Sequence, residues 1–551
     1  MQSDGVDNGV CYIFNNGSIH LTDSLFLKKH YLFINPKTRM KKRVIVFFVV
    51  CIAAVMSVTA QTAESYFTAG FEKAEKGLYK GALDDYTKAI ELNPQYARAY
   101  SNRGNAKSAL GDKEGAIADY TKAIEVNPQY AAAYYNRGNA KSDLGDKNGA
   151  ISDYTKSIEF NPQDADAYFQ RGYVKNDIRD TKGAIADYTK AIELNPQYAQ
   201  AYTNRGVAKD DLGDKYGAIA DYTKAIELNP QNANVYVVRG IVKSELGDTK
   251  GAIVDYNKAI ELNPQNADAY YTYYKRGNAK SALGDKKGAL ADYTKALELN
   301  SQYAVAYSNR GIAKFNLGDN KGAIADFTKA IELNPKSADT YFNRGDAKFN
   351  LGDKKSALAD YNRAIELNPQ YAEAYSNRGD AKDNLGDQYG AIADYTKAIE
   401  LNPQYADAYN NRGNVKSNLG DQYGAIADYT KSTEVNPQNA IAYFNRGLAK
   451  YNLGDKEGAI ADYTKAIEVN PQYADAYNNR GNVKKDLDDN YGAIADYTKA
   501  IEFNPQLSVA YLNRSKSYAL QGKLQLVCAD LRKAKELGNK DAEEYFKKAC
   551  K

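Results

Sequence analysis

The stretch Ala97 to Tyr130, ARAYSNRGNAKSALGDKEGAIADYTKAIEVNPQY, decides the fold because the chain repeats it. Thirty-four residues later it returns as Ala131 to Asp164 with most letters kept, and it returns again from Ala165, Ala199 and Ala233. Arg-Gly marks the beat at Arg103-Gly104, Arg137-Gly138, Arg171-Gly172, Arg205-Gly206 and Arg239-Gly240. A fixed period of this size signals repeated helical units that bury their apolar faces against their neighbours.

Inside one copy, Tyr100, Gly104, Ala106 and Leu110 recur at helical spacing, and Ile117, Tyr120 and Ile124 do so again, flanked by Ala116 and Ala123. Between the two runs stands Leu110-Gly111-Asp112. Gly111 is suited to the left-handed conformation that ends a helix, and Asp112 to capping the next one. Asn127-Pro128 closes the second run, because proline disfavours the helical conformation in the residue before it. Each copy therefore reads as helix, tight turn, helix.

The order aromatic, glycine four residues on, small residue, aromatic, alanine, proline falls on Tyr100, Gly104, Ala116, Tyr120, Ala123 and Pro128. This closely resembles the tetratricopeptide repeat (TPR), with Tyr where that family often has Trp; the chain contains no Trp. Fourteen copies are counted, starting at Ala63, Ala97, Ala131, Ala165, Ala199, Ala233, Ala267, Ala304, Ala338, Ala372, Ala406, Ala440, Ala474 and Ser508, and spanning 63–541. The resemblance implies an all-α TPR solenoid, a right-handed superhelix of stacked helix-turn-helix repeats. It also implies a protein-interaction scaffold whose first helices line a concave groove.

Three places break the pattern. The first copy has Ala69 where later copies have Arg. The step from Arg239-Gly240 to Arg276-Gly277 is 37 residues, with the excess in Ala267 to Gly277, and the same copy has Ser301 in place of Pro. That insertion predicts a first helix longer at its start, or a changed angle between neighbouring copies. The last copy has Ser515 for Gly and Val527 for Ala, and residues 542–551 read as a helix capping the open end of the stack.

Residues 1–39 lie outside the array and hold Cys11 and both histidines, His20 and His30. Residues 40–60 begin with Met40-Lys41-Lys42-Arg43, run through VIVFFVVCIAAVM and end with small residues at Val58-Thr59-Ala60. This is the pattern of a secretory signal peptide, cleaved after Ala60. The apolar run is short of the roughly 20 residues of a spanning helix; an uncleaved membrane anchor is the alternative. Met40 is then expected to be the true start, with 1–39 an upstream extension. The expected location is outside the cytoplasm: periplasm, cell envelope or secreted.

After such cleavage only Cys528 and Cys550 remain, and an exported chain with two cysteines predicts a disulfide between them. A loop of that length is worth about 3 kcal/mol in the chain-entropy model. Two free thiols in a reducing compartment are the alternative. No histidine would remain either, which removes Ser-His-Asp, Cys-His and His-based metal sites together. There is no phosphate loop, and the GDKEG and GDKNG turns lack the alternating ladder of a calcium loop. No enzyme, cofactor or small-molecule substrate is expected. The formal charge of +4 spread over 551 residues argues against a dedicated nucleic-acid binder.

Arg103 recurs in thirteen copies and Asp119 in fourteen. They read either as a pair fixing the register of adjacent helices or as an arginine stripe for acidic ligands; the shared recurrence favours the pair. By resemblance, the residues one, five and eight after the aromatic (Ser101, Asn105 and Ser108 in the second copy) face the groove. Most are polar, but Phe169, Tyr173, Ile312, Phe315, Phe342, Phe349, Phe444, Leu448 and Tyr451 are not. They are candidates for a partner-binding patch; the alternative is that the rings fold back as ordinary packing. The groove has Asn but little Lys, so the recognition of chaperone C-termini by some TPR proteins is not carried over. The expected function is a non-enzymatic, exported scaffold that binds a peptide or protein segment in its concave groove. The alternative is a structural spacer or assembly component of the cell envelope.

Overall fold

In the computed structural model, residues 62–265 and 268–550 are described; the expected upstream extension and signal peptide, residues 1–60, lie outside them. The described residues hold 29 α-helices and no strand. They form two compact units divided after Pro162. In the first, three hairpins pair 63–75 with 79–92, 97–109 with 113–126 and 131–143 with 147–160. The second holds eleven hairpins, from Ala165–Asp177 with Thr181–Leu194 to Ser508–Leu520 with Leu524–Glu536, and a last helix, Lys540–Ala549.

The turn within each hairpin follows from its two named residues. Gly111 sits at φ 91°, and the Asp112 side chain accepts a hydrogen bond from the Gly115 N–H at 2.8 Å, capping the second helix. Gly115 must be small for that cap: a Cβ there would stand 2.1 Å from Asp112 Oδ2. In the ninth hairpin Ser356 occupies this position, and its bond to Asp353 lengthens to 3.2 Å.

The core of each hairpin is one ring against one glycine. A Cβ on Gly104 would lie 2.7 Å from Tyr120 Cε1, so the glycine lets the helices approach until the tyrosine fills the gap. The last hairpin departs from this pattern at both residues together: Ser515 stands at the glycine position and Leu531, smaller than tyrosine, at the ring position, and both are buried.

The Arg–Asp recurrence is a structural clamp. Arg103 Nε and Nη2 donate to Asp119 Oδ2 and Oδ1 at 2.9 and 2.7 Å, and Lys107 Nζ lies 2.8 Å from Oδ2. Arg103 Nη1 donates to Thr87 of the preceding hairpin at 3.2 Å, and its guanidinium stacks 5.6 Å from the Tyr100 ring. Asp119 is only 3 % exposed. A buried carboxylate needs this many partners, and the arginine is taken up by Asp119, Thr87 and Tyr100.

The three-residue insertion divides. One residue lengthens the first helix at its start, Ala269–Ala282, and two lengthen the connection before it. Tyr270 of the insertion and Tyr274, which stands one residue after the repeat aromatic Tyr273, both pack edge-on against Tyr303 at 5.0 Å. At the C-terminus, Ala542 and Phe546 of the last helix cover Leu512, Val527 and Leu531. Cys528 and Cys550 meet there in disulfide geometry with Cα atoms 5.6 Å apart.

Candidate partner-binding groove

Along the first helices, the residue five after the aromatic sits at the rim of the tyrosine core. In the second hairpin Asn105 Oδ1 accepts from Tyr120 Oη at 2.9 Å and from Asn136 Nδ2 of the next hairpin at 3.0 Å. The same pairing ties Tyr293 and Asn309 to Asn278, and Tyr429 and Asn445 to Asn414. This ladder satisfies a buried phenol and sets the register of adjacent first helices. In the eighth hairpin both positions change, to Ile312 and Phe327, whereas Val207, Ile241 and Leu448 stand at the first position with Tyr222, Tyr256 and Tyr463 retained.

The structure divides the nine candidate residues. Phe169 is 8 % exposed, its ring 5.7 Å from Tyr188 and 4.9 Å from Tyr198. Phe342 lies in the same way against Tyr361 and Tyr371, and Phe444 against Tyr463 and Tyr473. These three rings pack between their own hairpin's tyrosine and the tyrosine that opens the next hairpin. Tyr173, Ile312 and Leu448 stand out at 53, 37 and 38 % exposure. Tyr451 is half-buried beside Tyr463 and donates to Asp486 Oδ2 at 2.5 Å.

Phe315 and Phe349 come together. With Asp346, Asn350, Tyr361, Asn377 and Asp380 they line a cavity of about 210 Å³ formed by the eighth to tenth hairpins. Asp346 Oδ1 accepts from Tyr361 Oη at 2.7 Å and Asn377 Nδ2 at 2.8 Å; Asp380 Oδ1 accepts from Tyr395 Oη at 2.6 Å and Asn411 Nδ2 at 3.1 Å. Burial lifts both carboxyls above the usual carboxylate range, against the lowering effect of those hydrogen bonds. The two aspartates were not among the sequence candidates. Their signal was two successive copies with Asp where five others carry Asn. A second cavity, of about 240 Å³, lies nearby, with Val305, Ile312 and Asp339 among its lining.

Among the described residues no group of three or more His, Cys, Asp or Glu is placed to hold a metal ion, and no helix is long and apolar enough to cross a membrane.

Paired helices on a fixed period, a glycine under an aromatic ring and a capped turn in each hairpin define a helical repeat solenoid. The chain belongs to the tetratricopeptide repeat family: a model described as TPR repeat matches residues 70–145, 180–213 and 242–454, more than half of the chain. Models described as tetratricopeptide repeat match 131–164, 199–232, 440–473 and 474–507. No curated protein matches the chain. Among solved structures it is similar to MamA, at 30 % identity over 30 % of this chain and 96 % of that one, TM-score 0.29. It is similar to YrrB, described as a TPR protein with an unusual peptide-binding site, at 30 % identity over 34 % of this chain and 95 % of that one, TM-score 0.30. A tetratricopeptide repeat protein from Parabacteroides merdae aligns at 21 % identity over 46 % of this chain and 99 % of that one, TM-score 0.34.

Proposed function

We propose that the chain is a non-catalytic, exported scaffold that holds a peptide or protein segment along the first helices of its repeats. The observation that carries this reading is the cavity of about 210 Å³ with Phe315 and Phe349 in its wall. Partly covered rings beside fixed hydrogen-bonding groups give a binding segment both contact area and orientation. Membership of a family of protein-interaction repeats supports the same reading. Export is supported by the basic, apolar and small-residue order of residues 40–60 and by the meeting of Cys528 with Cys550, which suits an oxidising compartment.

The test is affinity capture by the tagged chain from envelope and secreted fractions, beside a Phe315→Ala/Phe349→Ala variant. A partner captured by the parent and lost by the variant supports the groove. Partners retained equally by both would remove it. The spacer reading is favoured by one observation, the near-identical Arg–Asp–Lys clamp in successive hairpins. It predicts that deleting whole hairpins impairs function while groove substitutions do not.

A further inference from the structure

Where the ladder along the first helices has an acceptor five residues after the aromatic, a neutral amide serves. Asn105, Asn139, Asn278, Asn414 and Asn482 each take a tyrosine hydroxyl on Oδ1 at 2.8 to 2.9 Å. Asp346 and Asp380 make the same bonds through the same atom. Their negative charge is therefore surplus to the ladder, and it is carried in a partly buried site where ionisation is disfavoured. Lys354, on the second helix between them, is bonded to Asn384 and makes no ion pair with either carboxylate. The basic residues of the same two first helices are committed elsewhere: Arg344 and Lys348 to Asp360, Arg378 and Lys382 to Asp394. Among the described residues neither Asp346 nor Asp380 has an ion-pair partner.

A second departure converges on the same place. Eight residues after the aromatic, five copies carry Ser (Ser108, Ser142, Ser244, Ser281 and Ser417), but the eighth and ninth carry Phe315 and Phe349. Both rings and both carboxylates line one cavity. Asp339, Glu373 and Asp383 on the same two helices add to the negative field.

We propose, resting on the groove reading above, that this cavity receives the lysine or arginine side chain of a partner segment. The Asp346 and Asp380 carboxylates take its charge, and the Phe315 and Phe349 rings take its stem. A cation gains from both carboxylates and from the ring faces. An acidic side chain meets like charge. An apolar one leaves two carboxylates desolvated without a partner.

The test selects a random peptide library on the parent chain and on an Asp346→Asn/Asp380→Asn variant. The amide is the ladder's own residue elsewhere, so the variant keeps its fold, which an unchanged circular dichroism spectrum checks. The expected result is parent-selected peptides with one invariant Lys or Arg, bound roughly tenfold or more weakly by the variant. Replacing that residue by norleucine gives the same loss, and combining the two changes adds nothing. Peptides without a fixed basic residue, or losses that simply add, overturn the cationic pocket while the groove reading stands. A parent chain that retains no peptide overturns both.

Discussion

Gly345 stands so close to Tyr361 that a Cβ would lie 2.7 Å from Cε1 of the ring. Adding one methyl group forces the ring or the helix aside. Gly345→Ala is expected to destabilise the second unit by about 1–3 kcal/mol, the usual range for overpacking, read as a lower denaturant midpoint. A Gly345→Ala/Tyr361→Leu pair should recover part of that loss, because the last hairpin already joins a side chain at this position, Ser515, to Leu531. The clamp invites a double-mutant cycle on Arg412 and Asp428, which are joined by two hydrogen bonds at 2.9 and 2.7 Å. A coupling of roughly 1.5–3 kcal/mol is expected for bonds to a charged, buried acceptor; additive losses would remove the clamp. At Asp346 the folded chain holds the carboxyl proton more tightly than the unfolded chain does, because burial raises its affinity for the proton. Ionisation therefore lowers stability above the folded-state pKa, and the loss disappears as pH falls through it. Asp346→Asn is expected to raise the melting temperature at pH 7 and to have no such advantage once the pH is below the carboxylate range. An equal shift at both pH values would contradict this.

At the scale of the element, the hairpin turn depends on one left-handed residue. Glycine supplies it in most copies, but Arg179 holds it at φ 66° and Asp488 at φ 62°. A side chain there costs about 1–2 kcal/mol relative to glycine. Arg179→Gly and Asp488→Gly should each stabilise the chain by about 1 kcal/mol, seen as a higher denaturant midpoint. No gain would mean that these side chains make compensating contacts. The caps and turns were legible in the sequence because they are local: Asp112, Gly111 and Pro128 act on neighbours within a few residues. The division of the insertion was not, because it goes with tertiary packing such as that of Tyr270 on Tyr303, which no local pattern contains.

At the scale of the molecule, stability in a repeat solenoid is a sum of hairpin terms and neighbour terms, so the ends unfold most easily. The last helix lies over the final hairpin, and the Cys528–Cys550 closure spans 22 residues. Reduction is expected to loosen this end by about 3 kcal/mol. Hydrogen exchange should rise in residues 508–550 and stay unchanged in the central hairpins. Unchanged protection at the C-terminus on reduction would show that the covering side chains alone hold the cap.

The sequence by itself determined the period, the two helices of each copy and their turns, and it favoured the clamp without deciding it. These depend on contacts that recur at one spacing, and repetition makes such a spacing visible. It also marked the positions where aromatic residues interrupt a polar row. Only the tertiary structure separated Phe169, Phe342 and Phe444, folded onto tyrosines, from Phe315 and Phe349, which share a cavity with two aspartates. The reason is directional. A ring one residue after the aromatic is packed between its own hairpin's tyrosine and the tyrosine that opens the next, while a ring eight residues after it rests on its own second helix and also meets polar side chains of the next hairpins. That meeting depends on how hairpins are placed against one another, which no single copy of the repeat contains.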